Sequence, residues 1–181
     1  MSKTKLTRSS KPLINEVRPI GARVLKSAID SLRPYLFEAS VLDLFAGQGR
    51  FGITTSEEGI SCVTFVEKDR QTTSELRSFV SGRQFPKNVK ATILCQDVFT
   101  FLENSKETFD VVFADPPFPL WNKDFENRLF TAVIKALKPG SIFLVKHPSR
   151  MLPCSQLGEL TQMKLSDFGE SRLIYFKYEA Q

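Results

Sequence analysis

From Ser40 onward, short apolar runs alternate with longer stretches in which apolar and polar residues mix at helical spacing. The runs Ser40–Phe45, Ser61–Glu67, Lys90–Cys95, Phe109–Ala114 and Ser141–Lys146 are mostly rich in β-branched or aromatic residues and predict strands. Helix-compatible segments lie between them at about 50–58, 69–80, 97–104 and 126–137. The last runs into Lys138-Pro139-Gly140, which reads as a helix stop. Repeated β–α alternation predicts an α/β fold, a parallel sheet with helices on both faces. Met163–Phe168 and Arg172–Tyr178, joined across Gly169, read instead as an antiparallel hairpin at a sheet edge. Ahead of the sheet, Ile20–Leu32 predicts one amphipathic helix. No internal repeat, low-complexity tract or second domain is visible.

Composition adds little until charge is located. A chain of 181 residues, 41% hydrophobic and 25% charged, suits one globular domain with a real core. No apolar run approaches the roughly 20 residues of a membrane span, and the basic N-terminus lacks a signal-peptide core. A cytoplasmic protein is expected. Cys62, Cys95 and Cys154 lack metal-ligand spacing, and Cys62 and Cys95 sit in apolar runs as expected buried thiols. His147, the single histidine, follows the fifth strand without a co-ligand, so no metal site is expected and a loop histidine near the pocket is.

The formal charge of +5 is concentrated at the N-terminus. Residues 1–26 carry Lys3, Lys5, Arg8, Lys11, Arg18, Arg23 and Lys26 against Glu16, so the remainder has no positive excess. We expect a basic arm over 1–17 ahead of one domain over 18–181. Such an arm suits a polyanion through phosphate contacts, and charge alone equally allows a solvated tail.

The first strand ends in Val41-Leu42-Asp43-Leu44-Phe45-Ala46, and Gly47-Gln48-Gly49-Arg50-Phe51-Gly52 follows. These six residues satisfy G-x-G-x-x-G, and Glu67 lies 20 positions after Gly47 at the next strand's end. By spacing alone, that also fits a dinucleotide-binding fold, in which an acid takes the ribose hydroxyls. Asp43 separates the readings. A carboxylate before the loop repels a diphosphate but favours the sulfonium and ammonium of S-adenosylmethionine. Asp97, after the third strand, is placed to accept from an adenine amine, with the Val98 backbone at a ring nitrogen. It also reads as a helix N-cap. Asp43, Phe45, Gly47, Gly49, Glu67, Lys68, Asp97, Val98 and Asp115 are thus the candidate cofactor residues. Phe45, like Phe51, also reads as packing.

The fourth strand runs straight into Asp115-Pro116-Pro117-Phe118. Prolines remove backbone donors, so this turn offers acceptors. The Asp115 carboxylate and Pro116 carbonyl can take both hydrogens of an exocyclic amine and aim its lone pair at a sulfonium methyl. Phe118 offers a face on which an extruded base stacks. Catalysis then consists of positioning and matched hydrogen bonds, with Asp115, Pro116 and Phe118 as the catalytic set. Pro117, Phe118 and Trp121 are candidate substrate contacts, although Trp121 also reads as an anchor for its loop.

Val41–Gly52, Glu67-Lys68-Asp69-Arg70, Asp97 and Asp115–Phe118 together resemble class I methyltransferases. More narrowly, they resemble the RsmD-type family, which methylates the guanine N2 amine of bacterial 16S ribosomal RNA. The likeness runs from about Arg18 to Tyr178. It implies a Rossmann-like fold with a mostly parallel seven-stranded sheet and a C-terminal antiparallel hairpin. It also implies S-adenosylmethionine as cofactor, ribosomal RNA or the small ribosomal subunit as partner, and a monomer. Arg18-Pro19 with Arg23 resembles the family's arginine-bearing motif, which assigns both arginines to RNA and active-site contacts. Ile20 and Ala22 stand where the family has threonine and aspartate, and Gln48 where serine is usual. Other planar amines, adenine N6 or a protein glutamine amide, suit the same turn. A nicotinamide-dependent oxidoreductase uses the same glycine spacing, and a catalytically silent RNA-binding module is disfavoured by the intact Asp115.

Deleting residues 1–11 removes Lys3, Lys5, Arg8 and Lys11. With all four on phosphates of single-stranded RNA, the log–log salt slope of binding should shrink by about 3, at roughly 0.7 per phosphate. Affinity should fall with it, and cofactor binding should stay constant. An unchanged RNA affinity and slope would reduce the arm to a solubilising tail.

Overall fold

The computed structural model describes residues 20–82, 85–153 and 156–180; Arg18 and the basic arm lie outside them. Along each strand, side chains alternate between two apolar clusters, because successive residues face opposite sides of a sheet. In β1 (Ser40–Leu44), Val41 joins one cluster and Leu42 and Leu44 the other. In β4 (Phe109–Ala114), Val111 and Phe113 oppose Val112 and Ala114 in the same way. Strands buried on both sides require cover on both sides. Among the described residues, three helices cover the Val41 face: α1 (Ala22–Leu32), α2 (Arg50–Ser56) and α3 (Arg70–Val80), through Leu25, Ile29, Leu32, Phe51 and Leu76. The Leu42 face is covered by α4 (Val98–Asn104) and α5 (Lys123–Val133), through Phe101, Leu102, Leu129 and Phe130.

The remaining strands are β2 (Cys62–Glu67), β3 (Lys90–Cys95), β5 (Leu137–Pro148), β6 (Gln156–Leu157), β7 (Leu160–Phe168) and β8 (Ser171–Tyr178). Among the described residues the sheet order is β3-β2-β1-β4-β5-β8-β7-β6. Strands β1 to β5 run parallel, and β8 is antiparallel to both β5 and β7. The seven strands read from the sequence are present, and the two-residue β6 adds an eighth at the edge. The hairpin turns at Gly169, whose φ of 67° lies in the left-handed region glycine favours. Its second strand is interior, between β5 and β7, because β8 completes the hydrogen bonding of β5.

Other expectations need correction. Lys138-Pro139-Gly140 does not form a helix stop ahead of the strand; it lies inside β5. The helix already ends at Val133 and passes through a 3-10 turn, Ile134–Ala136. Pairing then jumps from Phe109↔Leu137 to Val111↔Ile142, so the proline sits in a bulge, where its missing N–H is tolerated. Cys62 is half-buried and Cys95 exposed, since β3 is an edge strand and Cys95 its last residue.

Candidate active site

Because β1 to β5 are parallel, their carboxyl ends lie along one edge, and the chain order reverses between β2-β1 and β4-β5. Open α/β sheets place ligands in that crevice. After Leu44 the backbone turns sharply, with φ of 57° at Phe45, 52° at Gly47 and 72° at Gly49. A Cβ at Gly49 would stand 2.5 Å from Leu76 Cδ1, and one at Gly52 would fall on the Phe65 ring. Both glycines are therefore needed for α2 and α3 to close on β2.

Three glycine amides of the loop are turned toward the protein's own acceptors. Gly47 N–H donates to Glu67 Oε2 at 2.9 Å, and Asp69 N–H to Glu67 Oε1 at 2.9 Å. Gly49 N–H donates to the Ala46 carbonyl at 2.8 Å, and Gly52 N–H to Asp43 Oδ2 at 3.0 Å. Asp43 is only 2% exposed. The sequence reading put this carboxylate beside a cationic ligand; instead it lies beneath the loop, on the Val41 face that α2 covers. Burial pushes its carboxyl well above the usual carboxylate range, the Gly52 amide opposes that, and Asp115 and Glu67 push it further up. Asp43 thus supports the glycine loop through its bond from the Gly52 amide.

Asp97 caps α4, its Oδ1 accepting from Phe99 N–H at 2.9 Å and Thr100 N–H at 3.1 Å. The Val98 amide belongs to the first turn of α4, where donors have no intrahelical partner. Phe45 packs its ring against Phe125, with centroids 6.3 Å apart. Phe51 is buried and stacked on Phe113 at 4.1 Å, as packing. Lys68 is exposed, its carbonyl accepting from Cys95 S–H at 3.7 Å.

At the next strand, Asp115 N–H donates to the Leu44 carbonyl at 3.4 Å, tying the proline turn to the glycine loop. Pro116 is buried, Pro117 exposed, and Phe118, partly buried, opens a 3-10 turn. Lys146 of β5 stands 2.8 and 3.1 Å from the two carboxylate oxygens of Asp115. Burial raises the Asp115 carboxyl above its usual range, and the Lys146 ammonium opposes the rise. Sequence reading missed Lys146; the signal was a basic residue at the end of a parallel strand whose neighbours end in acids. Trp121 is buried, with its ring 5.6 Å from Phe125 and 4.6 Å from His147, which is the packing of a loop anchor. His147 is no loop residue. It is fully buried within β5, its Nε2 3.3 Å from Glu126 Oε1 and its Nδ1 2.9 Å from the Pro148 carbonyl. Burial lowers its pKa while Glu126 opposes. Arg23 is exposed in the first turn of α1, and Arg50 Nη1 donates to the Ile20 carbonyl at 3.1 Å, fastening the chain beside the loop. Among the described residues, no group of three His, Cys, Asp or Glu can hold a metal, and no helix is long and apolar enough to cross a membrane.

Residues 4–177 match a family model described as conserved hypothetical protein 95. The chain belongs to this family. A Haemophilus influenzae protein named ribosomal RNA small subunit methyltransferase D is 32% identical over 111 residues, 59% of this chain and 57% of that protein. The chain thus spans little more than half the length of that curated relative. The solved structure of Escherichia coli yhhF, described as a candidate methyltransferase, superposes with a TM-score of 0.77 at 20% identity, over 91% of each chain. Magnesium protoporphyrin IX methyltransferase from Synechocystis, solved with bound S-adenosylmethionine, gives 0.69 at 13% identity, over 87% of this chain and 79% of that one. The fold is that of class I methyltransferases.

A carboxyl whose folded pKa is raised stabilises the fold fully below its unfolded pKa and loses that contribution as pH rises through the folded one. An asparagine in place of Asp43 cannot ionise and keeps an oxygen for Gly52. The stability of Asp43→Asn relative to wild type should therefore increase from about pH 4 to pH 7 in denaturant titrations. A constant or falling difference would contradict the burial of an unpaired Asp43 carboxyl.

Proposed function

We propose that this protein is an S-adenosylmethionine-dependent methyltransferase acting on an exocyclic amine of ribosomal RNA, guanine N2 of the small-subunit RNA. The observation that supports this cofactor over a dinucleotide is the Gly52-to-Asp43 hydrogen bond. A diphosphate needs free donors and positive potential at the head of the helix after the loop. Here that helix gives its Gly52 amide to the Asp43 carboxyl, and Glu67 and Asp115 bring further carboxyls to the same edge. A sulfonium and an ammonium are favoured by the same field.

The donor set fits the group. Glu67 retains lone pairs for ribose hydroxyls, the Val98 amide suits a ring nitrogen of adenine, and Asp97 suits its amine. When bound, S-adenosylmethionine supplies an electrophilic methyl group whose sulfur departs as a neutral thioether. The chain's own part is to present the nucleophile. Phe118 stacks the base, and Asp115 and the Pro116 carbonyl accept both amine hydrogens, freeing the nitrogen lone pair. As the N–C bond forms, the nitrogen gives up one of its protons to the Asp115 carboxylate that accepts it. Support for the RNA substrate comes from the relative named for the small ribosomal subunit, and for guanine N2 from the motif resemblance.

Asp115→Ala should lower kcat by about 10²-fold, taking one oriented charge–dipole contact as ~3 kcal/mol, with cofactor affinity little changed. Single-turnover transfer of labelled methyl to small-subunit RNA, followed by nucleoside mass spectrometry, measures both the rate and the product. N2-methylguanosine is expected. N6-methyladenosine or a methylated protein glutamine would reassign the substrate, and a variant with wild-type rate but no cofactor binding would reassign Asp115.

A further inference from the structure

The ion pair between Asp115 and Lys146 follows from strand register. β4 and β5 are parallel and paired as Ala114↔Val145, so the next residue of each faces the same side of the sheet. The Lys146 ammonium reaches both carboxylate oxygens, at 2.8 and 3.1 Å, and lies 5.2 Å from the centroid of the Phe118 ring. The two side chains are only 14% and 17% exposed, so water competes far less than at a surface ion pair. A carboxylate offers about four lone-pair sites. A lysine that takes one from each oxygen leaves the others for an amine.

We propose that Lys146 is a positioning residue for methyl transfer: it clamps both oxygens of Asp115 and keeps that side chain an ionised acceptor aimed at an amine stacked over Phe118. This rests on the methyltransferase reading above. The clamp answers a specific difficulty. Burial favours the neutral form of Asp115, and a protonated carboxyl presents an O–H donor where the amine needs an acceptor. The Asp43 carboxyl of β1, itself raised by burial, and Glu67 of β2 face the same edge as Asp115. Arg50, at the head of α2 on this face, gives Nη1 to the Ile20 carbonyl, and Arg23 of α1 is exposed. Among the described residues, Lys146 is thus the cation in direct contact with the Asp115 carboxylate.

The test uses the full chain, S-adenosylmethionine and small-subunit RNA, with Lys146→Met and Lys146→Arg. In Lys146→Met, kcat should fall about 10- to 100-fold at neutral pH, with cofactor affinity unchanged. The acidic limb of its kcat profile should move to higher pH, because the charged form of Asp115 has lost its partner. Lys146→Arg keeps a cation that spans two oxygens and should restore most of the rate and return the limb to its wild-type position. A Lys146→Met enzyme with wild-type kcat and limb overturns the proposal. So does an equal rate loss in both variants with the limb unmoved, which marks Lys146 as packing only. Carbon-13 NMR of the Asp115 carboxyl reads the clamp without turnover: its titration should move up in Lys146→Met and stay in place in Lys146→Arg, and an unmoved titration in both overturns the clamp. A wild-type protein that transfers no methyl group, with the NMR shift present, would instead sink the methyltransferase reading.

Discussion

Two carboxylates hold the glycine loop in place: Asp43 takes the Gly52 amide from beneath, and Glu67 takes those of Gly47 and Asp69 from the side. The rest of the edge is arranged around these bonds. They fix where β1 stops and where α2 starts, and they orient the loop over β2, where Phe65 and Leu76 leave room only for glycine at positions 49 and 52. They also use loop amides that a phosphate ligand would need. Hydrogen bonds to charged acceptors contribute roughly 1.5–3 kcal/mol each, enough to set a loop of this size.

The same carboxylates give the edge its sign. Burial is the main reason the Asp43 carboxyl lies high, with Asp115 and Glu67 adding to it, and Asp115, also raised by burial, sits against a lysine. A crevice lined by carboxyls, with Lys146 set among them, can discriminate between ligands by charge before any shape is matched. On the proposed reading it favours a cationic nucleoside over a diphosphate. Beyond the lysine, the two prolines leave carbonyl acceptors without N–H donors, and the proposed amine and cofactor sites lie on adjacent strands joined through the Asp115 N–H to Leu44 carbonyl bond.

Much of this was legible in the chain. Short apolar runs and the β–α rhythm located the five parallel strands and both layers of helices, and Asp-Pro-Pro-Phe landed beside the glycine loop. What was not legible depends on register and facing. The adjacency of Asp43 to the loop does not say which face of β1 it occupies. Alternation from Val41 puts it under α2. Lys146 was passed over because its meaning arises only when Ala114 pairs with Val145. His147 looked like a loop residue, since nothing local shows β5 continuing to Pro148 or Glu126 waiting across the seam. Lys138-Pro139-Gly140 carried a true breaker signal that a bulge absorbed.

Whether the edge takes a cationic nucleoside or a diphosphate is decided most directly by isothermal titration of the wild-type and Glu67→Ala proteins with S-adenosylmethionine and with NAD. S-adenosylmethionine should bind the wild type, and removing Glu67 should weaken it by about 10- to 100-fold, equivalent to one or two hydrogen bonds to a charged acceptor. NAD should give no binding heat. Binding of NAD in preference to S-adenosylmethionine, or an affinity for S-adenosylmethionine that survives Glu67→Ala unchanged, would contradict this assignment of the carboxylate edge.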